Sequence, residues 1–297
     1  MQFLPEIRHR GSGRWFLPMS EVAMTWEDAV RWCMSEPSMK ELARAAYFDD
    51  PVVAAQRYHQ SAEFGAVRGM IPRKAGRALD LGAGNGILSY ALAREGWSVT
   101  AVEPDPSALV GAAAIRTLAE RTGTPIDVVE AFGEAIPLSA AGYDLVVARQ
   151  VLHHAHDLPA FCREMARLSR DGATLLSLRD HVISGPQQLE PFLRAHPLHH
   201  LYGGENAFTL AAYRAAIHGA GLTIDRELSS FQSVVNYDPM TESEIRERLA
   251  NLFGPLSGPV RLVLSPVPFN IVASAAAALD RRPGRLVSFL CHKHGKD

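Results

Sequence analysis

The sequence predicts an α/β protein built on a Rossmann-like, doubly wound sheet of seven strands. Three observations carry this. Short apolar runs alternate with helical segments from residue 77 onward. A glycine-rich turn, Gly82-Ala83-Gly84-Asn85-Gly86, joins the first such run to a helix. An acid, Glu103, stands at the tip of the second run, about 20 residues after the first glycine of the turn.

Along the chain, residues 1–20 read as irregular, punctuated by Pro5, Gly11, Gly13 and Pro18. Thr25 then caps a helix with an acidic first turn, Glu27-Asp28, followed by Ala29, Val30, Trp32 and Met34. Lys40–Phe48 and Val52–Arg68 read as two more helices, parted by Asp49-Asp50-Pro51. Residues 1–70 are therefore expected to form a helical cover over the C-terminal edge of the sheet. Residues 71–230 form the expected core. Ala78–Leu81, Ser98–Val102, Ile126–Glu130, Tyr143–Ala148 and Ala173–Leu178 are its first five strands. Helices Ile87–Arg94, Pro106–Arg121 and Leu158–Leu168 alternate with them. Right-handed crossovers then gather the loops after the strands on one edge, where ligands bind.

Beyond the fifth strand the rhythm changes. Asp180–Asn206 reads as a long, polar, His-rich connection. Leu210–Ala220 is the next helix and Leu222–Leu228 the sixth strand. Residues 231–297 hold a helical insertion and a last strand, Gly284–Leu290. The apolar stretch Val260–Leu279 is interrupted by Arg261, Pro266, Pro268 and Asn270, so it suits a buried helix better than a membrane span.

Composition narrows the function classes. Apolar residues make up 47% of the 297, enough for a sizeable core. The net charge of −2 offers no global attraction to nucleic acid or anionic membrane. Cys33, Cys162 and Cys291 lack metal-site spacing and fit a reduced, cytoplasmic setting rather than a disulfide framework. The first residues lack an apolar run, so no signal peptide is expected.

The turn itself is G-x-G-x-G. The dinucleotide fingerprint needs a third glycine where Ile87 stands. Asp80-Leu81-Gly82-Ala83-Gly84-Asn85-Gly86 instead resembles motif I of class I S-adenosylmethionine-dependent methyltransferases. The resemblance runs from about Ala78 to Leu178 and implies S-adenosyl-L-methionine as cofactor. It also implies a last strand inserted antiparallel beside the fifth. Asp80, Gly82, Ala83 and Gly84 would line the cofactor. Glu103, followed by Pro104, would accept both ribose hydroxyls. Phe132-Gly133-Glu134-Ala135-Ile136-Pro137 resembles the adenine segment, with Phe132 where many relatives carry an acid. Phe132 can flank the ring, while the Gly133 N–H can serve a ring nitrogen. Arg149-Gln150-Val151-Leu152-His153-His154 resembles the segment after the fourth strand of the ubiquinone/menaquinone group. By that likeness Arg149 lies near the methionine carboxylate. Tyr58 and Arg57 either close over the cofactor's amino-acid end or belong to a helix that only fills the face.

The implied activity is methyl transfer to O or N of a small polar metabolite or natural-product acceptor, with a histidine as general base. His181 is the first candidate, then His199 and His154. Tyr237, Asn236 and Arg285 are further candidates to line the acceptor site. His196, His199, His200 and Glu205 are metal-ligand types, but Pro197 spoils the i, i+4 geometry of a zinc helix. No metal is expected. The alternatives are a nicotinamide-dependent oxidoreductase on a related sheet and a non-catalytic cofactor-binding scaffold. Neither a nucleic-acid nor a membrane partner is expected, since no basic stripe and no N-P-P-Y-type segment is present. Oligomeric state stays open, a homodimer included.

Overall fold

A computed structural model describes residues 24–294. The expected irregular segment 1–20 lies outside these residues. The sheet runs β3-β2-β1-β4-β5-β8-β7. Its strands are β1 (Arg77–Leu81), β2 (Ser98–Val102), β3 (Ile126–Val129), β4 (Tyr143–Arg149), β5 (Ser169–Ile183), β7 (Leu222–Leu228) and β8 (Arg285–Lys293). The two-residue β6 (Phe208–Thr209) pairs with β5 off this path. β1 to β5 are parallel, and β8 inserts antiparallel between β5 and β7. The doubly wound order and the antiparallel last strand are therefore as expected.

The strands are apolar on both faces because helices cover both. Leu79, Leu81, Val146 and Ala148 face one layer, with Phe161, Met165 and Tyr213. Ala78, Leu145 and Val147 face the other, with Ala54, Tyr58, Phe64, Leu88 and Leu92. Alternation along each strand feeds both cores at once.

Before the sheet come α1 (Trp26–Ser35), α2 (Lys40–Ala45), α3 (Pro51–His59) and α4 (Ala62–Arg68). The Thr25 hydroxyl caps α1 by accepting from Asp28 N–H, as expected. The expected single helix over Val52–Arg68 is broken, because Ser61 takes an extended conformation and caps α4. Between strands lie α5 (Ile87–Arg94), α6 (Ala112–Thr122) and α7 (Leu158–Leu168). α6 starts six residues later than Pro106, because the chain first folds back on Asp105, whose carbonyl accepts from Ala112 N–H.

The long connection after strand five is a correction. β5 continues through Arg179, Asp180 and His181 to Ile183, past a register shift against β8 between Ser177 and Asp180. Then follow α8 (Leu189–Ala195), α9 (His199–Tyr202), α10 (Leu210–Gly219) and α11 (Val234–Tyr237). The insertion before β8 comprises α12 (Glu242–Asn251), α13 (Ser257–Leu264) and α14 (Phe269–Leu279). It is not the buried helix expected at Val260–Leu279. α13 buries no residue, and α14 buries only Val272, Ala273 and Ala276. No helix among the described residues is long and apolar enough to cross a membrane.

Candidate active site

β1, β2 and β4 end at a common edge, and the loops beyond them flank a cleft that is open to solvent. Gly82 and Pro104 line it from the first two loops, Phe132, Gly133 and Glu134 from the loop after β3, and Val151 and His154 from the loop after β4.

Local geometry explains the glycine turn. Gly82 has φ of 61°, which a side chain disfavours, and a Cβ there would lie 2.5 Å from the Val151 side chain. Gly84 N–H donates to Glu103 Oε2 at 2.8 Å, and Asp105 N–H donates to Oε1 at 2.9 Å. Each carboxylate oxygen keeps a second lone pair, so the group is fixed in place and can still accept from a ligand's hydroxyls. Burial pushes Glu103 up to about 7, against the two N–H donors. Asp80 is also pushed up to about 7 by burial, opposed by the Ser89 hydroxyl at 2.6 Å.

Beyond β3, a Cβ on Gly133 would lie 2.0 Å from the Phe161 ring, so only glycine lets this loop lie against α7. Phe132 is 38% exposed, and its ring meets His156 edge-on. Glu134 Oε1 accepts from the N–H groups of His156 and Asp157, tying the β3 loop to the β4 loop.

The amino-acid end looks different. Arg149 is held by Glu63, with Nε to Oε1 at 2.6 Å and Nη2 to Oε2 at 2.9 Å. Its guanidinium packs 5.1 Å from the Tyr58 ring centre. Tyr58 is fully buried and donates to Glu63 Oε1 at 3.2 Å. Arg57 pairs with Asp49 on the same cover. Arg149 thus already has a carboxylate partner, one supplied from α4.

The three candidate bases all neighbour Glu205, but of the three only His154 lines the cleft. His154 lines the cleft, with Nδ1 2.9 Å from Gly204 O. Burial lowers its pKa, keeping the ring neutral near pH 7. His181 sits on β5, with Nδ1 2.8 Å from Gly284 O. His199 Nδ1 accepts from Glu205 N–H at 3.2 Å. Of the acceptor-loop residues, Asn236 is buried and donates to Leu228 O at 2.7 Å. Sequence reasoning did not assign Glu63 or Arg179, which form one buried network with Arg149. Their only sequence signal is charge inside apolar periodicity.

Residues 79–177 match the family model described as "Methyltransferase domain". The chain is 32% identical over 157 residues to a ubiquinone biosynthesis O-methyltransferase of Methylobacterium sp. (strain 4-46), covering 51% of this chain and 59% of that one. It therefore spans about three-fifths of that relative's length. A Galdieria sulphuraria protein, provisionally named a sarcosine dimethylglycine methyltransferase, superposes with a TM-score of 0.55 at 18% identity, covering 91% of this chain and 98% of that one. The [4+2]-cyclase SpnF superposes with a TM-score of 0.54 at 15% identity, over 82% of each chain. These two likenesses concern the fold, which hosts more than one reaction.

Proposed function

We propose that the chain is a class I S-adenosylmethionine-dependent methyltransferase, a reading supported by the methyltransferase-domain match over residues 79–177, and that it moves a methyl group from this cofactor to an O or N atom of a small polar acceptor. The observation that carries the reading is Glu103 fixed against the glycine turn, where Gly82 of the turn and Pro104 beside Glu103 line the cleft. Glu103 is 3% exposed, oriented by two backbone donors, and aligned with a turn whose first residue tolerates no side chain. That arrangement fits an adenosyl ribose.

The cofactor supplies an electrophilic methyl when bound. The protein's part is alignment and proton removal. Holding the acceptor in line is worth roughly 7–11 kcal/mol on effective-molarity grounds. Glu103 would fix the ribose, and the Gly133 N–H with Phe132 the adenine. Asp80 would sit by the methionine ammonium. Arg149 and Tyr58 would shape the amino-acid end through Glu63. Among the proposed bases His154, His181 and His199, His154 is favoured, because it alone of the three lines the cleft. With Nδ1 donating to Gly204 O, its Nε2 carries the lone pair. A base in this role contributes about 10²- to 10⁴-fold.

Titration calorimetry with S-adenosylhomocysteine tests the reading. One site per chain is expected, and folded protein that takes up none would overturn it. A non-catalytic scaffold would bind the product yet show no turnover with any acceptor.

A further inference from the structure

Behind the cleft, His181, His196 and Glu205 bring three ligand atoms within 4.8 Å of one another. They come from β5, the turn after α8 and the loop after α9. This is not the set His196, His199, His200 and Glu205 weighed from sequence. His200 is exposed, and His199 is engaged by the Glu205 backbone.

Glu205 is 7% exposed, and its Oε2 has no hydrogen-bond partner among the described residues. An unmade hydrogen bond on such a group is expensive. What faces the carboxylate is imidazole. His153 Nε2 lies 3.7 Å from Oε2, and His196 Nε2 lies 3.6 Å from Oε1. Both distances are too long for a hydrogen bond. Both approach the separation of about 3.4 Å between two donors that each lie about 2.1 Å from one tetrahedral ion.

The His181 and His153 rings are oriented for coordination. His181 Nδ1 donates to Gly284 O, which leaves the lone pair on Nε2. His153 Nδ1 is held at 2.9 Å by Asp180 in the same manner. Leu198 N–H reaches His196 Nδ1 at 3.4 Å, a contact long enough to yield when Nε2 takes a cation. A buried carboxylate oxygen with no hydrogen-bond donor is costly, and a divalent ion would satisfy it. The Tyr202 hydroxyl donates to Glu205 Oε1 and fixes the carboxylate from behind.

We propose that His181, His196 and Glu205 form a site for one divalent transition-metal ion of the Zn²⁺ class, with the His153 ring packed against His181 and facing Oε2 of the same carboxylate. Two imidazoles and one carboxylate suit Zn²⁺, Co²⁺ or Ni²⁺, whereas Mg²⁺ and Ca²⁺ prefer oxygen sets. Three protein ligands leave a fourth position for water or an acceptor oxygen. His181 and His196 are partly exposed, which gives the ion an entry path. His154 both lines the cofactor cleft and neighbours Glu205, so the ion stands against the cleft. His181 Nε2 then serves a cation rather than a substrate proton.

The test uses the full chain, stripped with a chelator and dialysed against Co²⁺, then Zn²⁺. The expected result is one ion per chain, a visible Co²⁺ absorption of low coordination number, and a rise in Tm with Zn²⁺. His181→Gln and His196→Gln should each weaken Co²⁺ binding at least tenfold, with circular dichroism confirming that they fold. His200→Gln, at an exposed ring, should leave it unchanged. No stoichiometric uptake, or uptake unaltered in both ligand variants, would overturn the site. The readout is independent of S-adenosylhomocysteine binding, so the two proposals fail separately.

Discussion

At the scale of single residues, Glu103 links cofactor affinity to pH. Ribose hydroxyls donate best to an ionised carboxylate, and burial holds this one near pKa 7. Protonation therefore competes with the ligand. S-adenosylhomocysteine affinity should be flat above about pH 8 and fall below 7, by up to tenfold per pH unit for each of Glu103 and Asp80. Glu103→Gln should weaken binding about tenfold to a hundredfold at pH 8, as expected for hydrogen bonds to a charged group. It should also flatten the pH profile, leaving the part due to Asp80, which titrates in the same range. Calorimetry between pH 5.5 and 8.5 separates the two; a profile unchanged by the substitution would remove Glu103 from the ribose. Gly133→Ala should also weaken binding, for a steric reason. Its methyl would meet the Phe161 ring at 2.0 Å, and relief requires the loop or α7 to move. Such overpacking costs about 1–3 kcal/mol, which a denaturant melt would record as a lowered midpoint at unchanged slope.

At the scale of elements, the difference between what could and could not be read lies in sequence distance. The glycine turn, Glu103 and the strand spacing are legible because each is a local pattern repeated along a regular sheet. The extension of β5 is not, because Arg179-Asp180-His181 reads as polar loop. It is strand only because β8, more than 100 residues later, pairs with it. The network of Glu63, Arg149 and Arg179 is equally non-local. Glu63 lies 86 residues from Arg149 and is 1% exposed. Burial works against its ionisation, yet Arg149 and Arg179 outweigh that and hold its carboxyl below the usual range. Burial lowers Arg179, whose Nε finds no partner among the described residues. Glu63→Gln should therefore leave two buried guanidinium groups without a counter-charge. Loss of one partner of a buried pair costs about 3–5 kcal/mol. Urea denaturation should show a loss of that order, and a change within 1 kcal/mol would mean that water or another acid already compensates.

At the scale of the whole molecule, two sets of buried titratable groups oppose each other. Burial pushes Asp80, Glu103 and Asp180 up to about 7. Each contributes stability that is present below its unfolded value near 4 and is lost as pH rises through 7. Burial pulls His153, His154, His196 and His199 down. Their contribution is present above an unfolded value of about 6.5 and is lost as pH falls through the folded values. Between about pH 4 and 6.5 the two trends offset, so the wild-type stability curve should be shallow there. Above 6.5 the unfolded histidines no longer titrate, while the acids are still ionising against burial. Stability should then decline between pH 6.5 and 8. Asp80→Asn isolates one acid, since asparagine can still accept from the Ser89 hydroxyl but never ionises. Its gain over wild type should be about 2–3 kcal/mol larger at pH 8 than at pH 5, because two pH units lie between the ionised unfolded group and the protonated folded one. The same substitution removes the carboxylate proposed for the cofactor's ammonium, so S-adenosylhomocysteine should bind more weakly to the more stable protein. That is the trade expected where a site keeps a charge its fold disfavours. Paired melts and calorimetry at both pH values would show it. A variant that gains stability equally at pH 5 and 8, or that binds as tightly as wild type, would mean that Asp80 is a structural acid and not part of the site.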